Sequence, residues 1–181
     1  MIVSTASEPI LAQVRLAWWR AELGKAPAER TDDQGTLRML GATWSGEEVA
    51  LISLIDGWER LLAGPPLGEN DIAAFADGRA KCFAALARLA GFPQHHADAG
   101  ELGRIWALAD FRLRTIDRIE RQIAEKLGDG AERATSVMPL GLRHLAVLGG
   151  LGARALSRAP GPLVAGRRDV MAAMRLGMLG R

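Results

Sequence analysis

From Asp98 to Leu127 one seam runs through the sequence. Leu102, Trp106, Ala109, Leu113, Ile116, Glu120, Ile123 and Leu127 follow one another in steps of 4, 3, 4, 3, 4, 3 and 4. That spacing puts every member on one face of a helix, whereas a strand would scatter them over both faces. The stretch therefore predicts a single amphipathic helix of about eight turns. Asp98 followed by Glu101 reads as a capping-box start, and Gly128 as the stop. Glu120 is the polar interruption of the seam. It either pairs with an arginine from another helix or marks a polar cavity.

The remaining segments are read the same way. Ser7, Glu8 and Pro9 open a helix running to about Leu23, with Ile10, Val14, Ala17, Trp18 and Ala21 expected on its packed side. Lys25 to Asp33 is a polar linker, followed by a short helix near Thr36 to Leu40. Ser45 with Glu48 forms a second capping box, opening a helix to Ala63 that buries Leu51, Ile55, Trp58 and Leu62. Gly64-Pro65-Pro66 ends it. Asn70 caps a helix ending near Gly91, with Phe75, Phe83, Leu86 and Leu89 as core candidates. Ser136 caps a segment through Leu156, and a Pro160-Gly161-Pro162 turn leads to a last helix ending near Gly180. No stretch alternates convincingly as a strand and no internal repeat is present. The expectation is one all-α domain, residues 1–181, of six or seven helices.

A chain of 181 residues is long enough to bury roughly 70% of its unfolded surface in one domain. One cysteine, Cys82, excludes an internal disulfide framework and suits a reducing cytosol. No apolar run reaches the length of a membrane span, and the N-terminus carries no basic segment of a secretory signal. The expected location is cytoplasmic, peripheral to the inner membrane. The net charge is +2 but unevenly placed: from Val137 onward seven arginines (Arg143, Arg154, Arg158, Arg167, Arg168, Arg175 and Arg181) face one acid, Asp169. That segment is +6 and the rest is −4. The first six of these arginines are candidates for contact with an anionic membrane surface, at about 1 kcal/mol per well-placed residue; the alternative is a solvated basic face. Nucleic acid is not expected as a partner, because the basic residues are not interleaved with exposed aromatics.

Four motifs bear on chemistry. Gly150-Leu-Gly152-Ala-Arg-Ala155 matches a dinucleotide-binding string, with Asp169 nineteen residues beyond Gly150, but such a site needs a strand before the glycines. Close packing of helices at small residues is the better reading. His95, His96 and Asp98 read as a surface loop, since adjacent histidines rarely aim at one ion. Cys82, beside Phe83, reads as a small buried hydrophobe. Asp110, Arg114, Asp117 and Arg121 form an alternating-sign ladder on the central helix, worth a few tenths of a kcal/mol per pair.

The stretch Gln13-Val-Arg15-Leu-Ala-Trp18-Trp19-Arg20 resembles the squalene/phytoene synthase family, where a helix commonly reads R-L-x-W-W-R. Leu51 to Trp58, Phe75 to Gly91, Gly103 to Asp110 and Pro139 to Ala146 resemble later segments of that family in the same order. The resemblance implies an isoprenoid-synthase-like helical bundle around an apolar cavity. Active members condense two prenyl diphosphates with Mg²⁺ held by two aspartate-rich motifs, because a hard cation needs carboxylate oxygens.

This sequence departs from the pattern at both motifs. The helix carrying the first lies upstream of the double tryptophan, and Met1 is only fourteen residues before Arg15, so the family's first helices are expected to be missing. The second, N-x-x-R-D-x-x-x-D, aligns near Asp110 to Asp117, with Asp110 for Asn, Leu113 for Arg and Arg114 for the first Asp. Phe75 stands where the family has a tyrosine. The resemblance therefore implies a non-catalytic member that binds lipid or isoprenoid, or acts in assembly at the membrane surface. No cofactor or metal is expected. Arg15, Trp18, Trp19, Phe75, Trp106, Asp110, Asp117 and Glu120 keep the motif positions in cavity or structural roles. A protein partner or a homodimer is a further expectation. The alternative is an active Mg²⁺-dependent prenyl transferase of carotenoid or hopanoid synthesis, its missing helix supplied upstream or by a dimer partner.

Overall fold

The computed structural model describes residues 9–31, 35–131, 137–158 and 161–180. Among them are eight α-helices and no strand, one helix more than the upper expectation. They are α1 (Pro9–Leu23), α2 (Thr36–Thr43), α3 (Glu48–Arg60), α4 (Glu69–Leu89), α5 (His96–Arg114), α6 (Arg118–Leu127), α7 (Arg143–Leu156) and α8 (Arg167–Leu179). The expected caps Ser7 and Ser136, and Pro160 of the last turn, lie outside the described residues.

The extra helix comes from the central seam, which is two helices and not one. Thr115 leaves α5 with an extended backbone, ψ 138°. The Asp117 carboxylate then accepts the backbone N–H groups of Ile119 and Glu120 at 2.7 and 3.0 Å, capping α6. Asp117 N–H donates to Thr115 Oγ1, and Arg121 Nε donates to the Thr115 carbonyl. Short polar side chains here compete with the helix ladder and win. The hydrophobic seam cannot override them, because Ile116 at its middle is exposed. The four-residue charge ladder is thereby cut: Arg114 bonds Asp110, but Asp117 and Arg121 serve the turn.

Three other expected caps are not used. Asp98 lies inside α5, which starts at His96, and Ser45 precedes a turn before α3. The start of α4 is held by Asp71, whose carboxylate accepts from Gly68 N–H, and not by Asn70.

The helices pack serially, α1 on α3, α3 on α4, α4 on α5, α5 on α7 and α7 on α8, while α6 folds back over α5 and α4. The inner contacts are set by small residues. A Cβ on Gly78 of α4 would stand 2.5 Å from the Ser53 carbonyl oxygen of α3. One on Gly152 of α7 would meet the α5 backbone at Trp106, 3.1 Å away, and one on Gly150 would meet Leu176 of α8. The Gly150–Ala155 string is thus a two-sided helix-packing surface within α7.

A paired prediction follows from this spacing. Gly78→Ala should destabilise by about 1–3 kcal/mol despite its gain in helix propensity, because backbone must move. Gly177→Ala on α8 meets only a Val147 methyl at 3.7 Å and should stabilise by up to about 1 kcal/mol. Urea unfolding of both variants checks the opposite signs.

Packing differs from expectation most at α1. Ala12, Leu16 and Leu23 are buried, with Leu37 and Ile55 beside Leu16 and Leu23 in one cluster against which Trp19 packs. Ile10, Val14, Ala17, Trp18 and Ala21, expected inside, are exposed. The helix is apolar on both sides, so periodicity alone could not choose between them. In α3, Ile55 is buried and Leu51 and Trp58 pack partly buried around it, with Leu62 of the 3-10 turn that follows; in α4, Phe75 and Phe83 are buried, Leu86 is partly so, and Leu89 is exposed.

Candidate functional site

The motif positions fall into three separate places. At the α4–α5 contact, Arg79 is the hub. Its guanidinium lies 4.7 Å from the Phe75 ring centre and 4.6 Å from that of Trp106. Its Nη1 donates to Asp110 Oδ2 at 2.8 Å, and Arg114 Nε donates to Asp110 Oδ1 at 2.7 Å. Trp106 stacks in turn on Phe83 at 5.6 Å. Burial acts to raise the Asp110 pKa, but the hydrogen bonds from Arg114 and Arg79 outweigh it and hold the carboxyl below its ordinary value. Both carboxylate oxygens face arginines. A cation drawn to Asp110 would meet two guanidinium groups first, so the cluster is built as an ion pair between aromatic faces.

Glu120 occupies the second place. It is only 5% exposed, and its Oε1 accepts the Leu67 backbone N–H at 2.9 Å while Oε2 accepts the Thr115 hydroxyl. Its partners are thus a loop N–H and a hydroxyl, and no arginine. It ties the entry of α4 to the α5–α6 turn that Asp117 caps, a structural task.

The third place is α1. Trp18 and Trp19 meet edge to face at 5.1 Å, and Arg15 is exposed. Arg20 bridges to Asp56 and Glu59 of α3. Cys82 is buried against the Ala50 carbonyl, and burial pushes its thiol up to about 12, so it is no nucleophile at neutral pH. His96 Nδ1 lies 2.8 Å from the Pro93 carbonyl oxygen. Among the described residues no three His, Cys, Asp or Glu side chains gather as a metal site, and no helix is long and apolar enough to cross a membrane.

The six candidate arginines separate by structure. Arg154 and Arg158 both donate to Asp169, at 2.9 and 2.5 Å, and Arg158 also binds the Pro162 and Leu163 carbonyls. Arg143 donates to the Met178 carbonyl at the end of α8. These three fasten α8 to α7. Two share the single charge of a buried carboxylate, and the third caps a helix end.

Arg167, Arg168 and Arg175 remain, all exposed on α8. Beside them the outer face of α8 presents Val170, Met171, Met174, Met178 and Leu179, with Met171 65% and Met178 70% exposed. The inner face carries Leu176 and buried Asp169. Sequence reasoning did not identify this apolar face. Its spacing, 170, 171, 174 and 178, was the available signal. Arg79 and the buried Arg112 were also missed, since nothing local distinguishes them from exposed arginines.

Asp169 fixes the orientation that turns this face outward. The Ala165 backbone N–H, then Arg154 and Arg158, hold its carboxyl far below the usual range. A depressed carboxylate stabilises above its unfolded pKa, about 4, and loses that contribution as pH falls below it. Hydrogen-exchange protection of α8 should therefore be flat between about pH 5 and 8 and fall in acid, relative to α4. Asp169→Asn should lower it at neutral pH. Compared with models of known protein families, with curated proteins and with solved structures, the chain matches none.

Proposed function

We propose that this protein is a non-catalytic helical bundle of the squalene/phytoene synthase type that works in lipid binding or assembly at an anionic membrane surface, with α8 as its contact. The observation that carries the reading is the outer face of α8, an apolar stripe of Val170, Met171, Met174 and Met178 with the exposed Arg167, Arg168 and Arg175. A helix of this composition lies in the interface plane, apolar side chains among the acyl chains and guanidinium groups at the phosphates. No other segment of the described chain combines an exposed apolar stripe with three exposed arginines.

The non-catalytic half of the proposal rests on the aspartates. Asp110 is held by Arg79 and Arg114, and Asp117 is spent on the α6 cap. Charge neutralisation of a leaving diphosphate has no source among these groups. Incubation with farnesyl or geranylgeranyl diphosphate and Mg²⁺ tests this half: no release of diphosphate is expected, and turnover would restore the transferase reading. Flotation with phosphatidylglycerol vesicles against phosphatidylcholine vesicles tests the surface half.

A further inference from the structure

Three of the chain's six methionines, Met171, Met174 and Met178, lie on α8. Steps of three and four residues put them on one face of the helix, and all three are exposed, Met174 at 56%. A face that only had to enter lipid would be served as well by leucine or isoleucine. Methionine adds a thioether, which hydrogen peroxide converts to a sulfoxide. That reaction needs access, and the fold sorts the methionines by it. Met138 is 1% exposed, in the core cluster with Leu142 and Leu145. Met39 is exposed but stands alone on α2. Only α8 among the described elements gathers reactive thioethers, and it gathers them beside Arg167, Arg168 and Arg175.

We propose that Met171, Met174 and Met178 are a site of oxidation by hydrogen peroxide, and that their conversion to sulfoxides releases α8 from the anionic surface. The release rests on the reading of α8 as the lipid contact; the oxidation does not. In the reaction a sulfur lone pair attacks one peroxide oxygen, so that an S–O bond forms as the O–O bond breaks. The departing hydroxide takes the proton left on the transferred oxygen, and the products are a sulfoxide and water. Sulfur loses two electrons and the peroxide gains them. On the free chain the new S–O group is hydrated, because the three side chains are exposed, and the fold is retained. Among acyl chains it finds no donor, so each sulfoxide that has to enter weakens binding on the order of tenfold. Bound α8 keeps its thioethers in the acyl region. Oxidation therefore falls on the unbound chain and opposes its return.

The test treats the full chain with hydrogen peroxide, maps oxygen uptake by peptide mass spectrometry, and measures flotation with phosphatidylglycerol vesicles before and after. Met171, Met174 and Met178 should take up oxygen well before Met138, with the thermal melt unchanged and binding at least about tenfold weaker. Vesicles added before the peroxide should slow uptake at the three positions and not at Met39. Met39→Leu should lose binding on treatment as wild type does. The combined Met171→Leu, Met174→Leu and Met178→Leu chain, compared only with itself untreated, should lose none. Uptake on α8 no faster than at Met138 would overturn the proposal. So would an oxidised chain that binds as before, a loss that comes with a collapsed melt, uptake on α8 indifferent to bound vesicles, or an equal loss in the triple leucine chain. An untreated chain that does not bind the vesicles would overturn the lipid reading of α8, and the release with it.

Discussion

Arg112→Ala is expected to lower unfolding stability by about 3 kcal/mol, a fall in Tm of roughly 6–12 °C for a chain of this size. Arg112 is buried at the end of α5, and each side-chain nitrogen has a distinct partner. Nε donates to Glu125 of α6 at 2.6 Å, Nη1 to the Ala155 carbonyl at 3.1 Å, and Nη2 to the Arg158 carbonyl at 2.9 Å. One guanidinium thus joins α5 to α6 and satisfies the Ala155 carbonyl in the last turn of α7 and the Arg158 carbonyl just beyond it. Glu125 is half-exposed and returns to water when the arginine is removed, so its share of the loss is small. The larger share comes from buried carbonyls without donors and from the volume vacated. Arg112→Lys should recover only part, because one ammonium cannot span three partners set in a planar fork. Arg114→Ala, two residues on and exposed, should cost well under 1 kcal/mol. Calorimetry of the three variants distinguishes a buried clamp from a surface charge.

The second large effect is expected on α8. Replacing Arg167, Arg168 and Arg175 together with glutamine should weaken binding to anionic vesicles by about 10²-fold, since each well-placed arginine contributes about 1 kcal/mol and 1.4 kcal/mol is tenfold. The fold should be unaffected, because all three side chains are exposed. Met171→Ser with Met174→Ser should weaken binding at least as much, at about 0.8 kcal/mol per methylene-sized unit withdrawn from the acyl region. Arg154→Gln is the informative contrast. Although it lies in the same basic segment, it is bound to Asp169, which it shares with Arg158; it should loosen α8 on α7 before it changes lipid affinity. Net charge near a surface therefore does not predict the response. What matters is which arginines are left unpaired.

The all-helical class and most element positions were legible because apolar spacing, Gly and Pro report directly on local geometry. The break at Thr115 was harder. Its cause lies in three side chains, Thr115, Asp117 and Arg121, whose bonds form only once the chain turns. Arg79 and Asp110 are thirty-one residues apart and share no local signature. Arg112 and Arg114 have the same chemistry two positions apart, and only the approach of α7 makes one a buried clamp and leaves the other in solvent. The basic C-terminal segment was legible as a total charge. Its division into a fastening set, Arg143, Arg154 and Arg158, and an outward set, Arg167, Arg168 and Arg175, required the position of Asp169. The sign of α1 was not legible at all, because both of its faces are apolar.

The central claim is that α8 is a contact for anionic lipid. Co-sedimentation of the intact chain with phosphatidylglycerol and with phosphatidylcholine vesicles, at low and at high salt, tests it most directly. Strong partition onto the anionic vesicles alone, reduced by salt and weakened about 10²-fold by the Arg167, Arg168 and Arg175 replacements, is the predicted result. Equal partition onto both vesicle types, or partition indifferent to the three replacements, would contradict it.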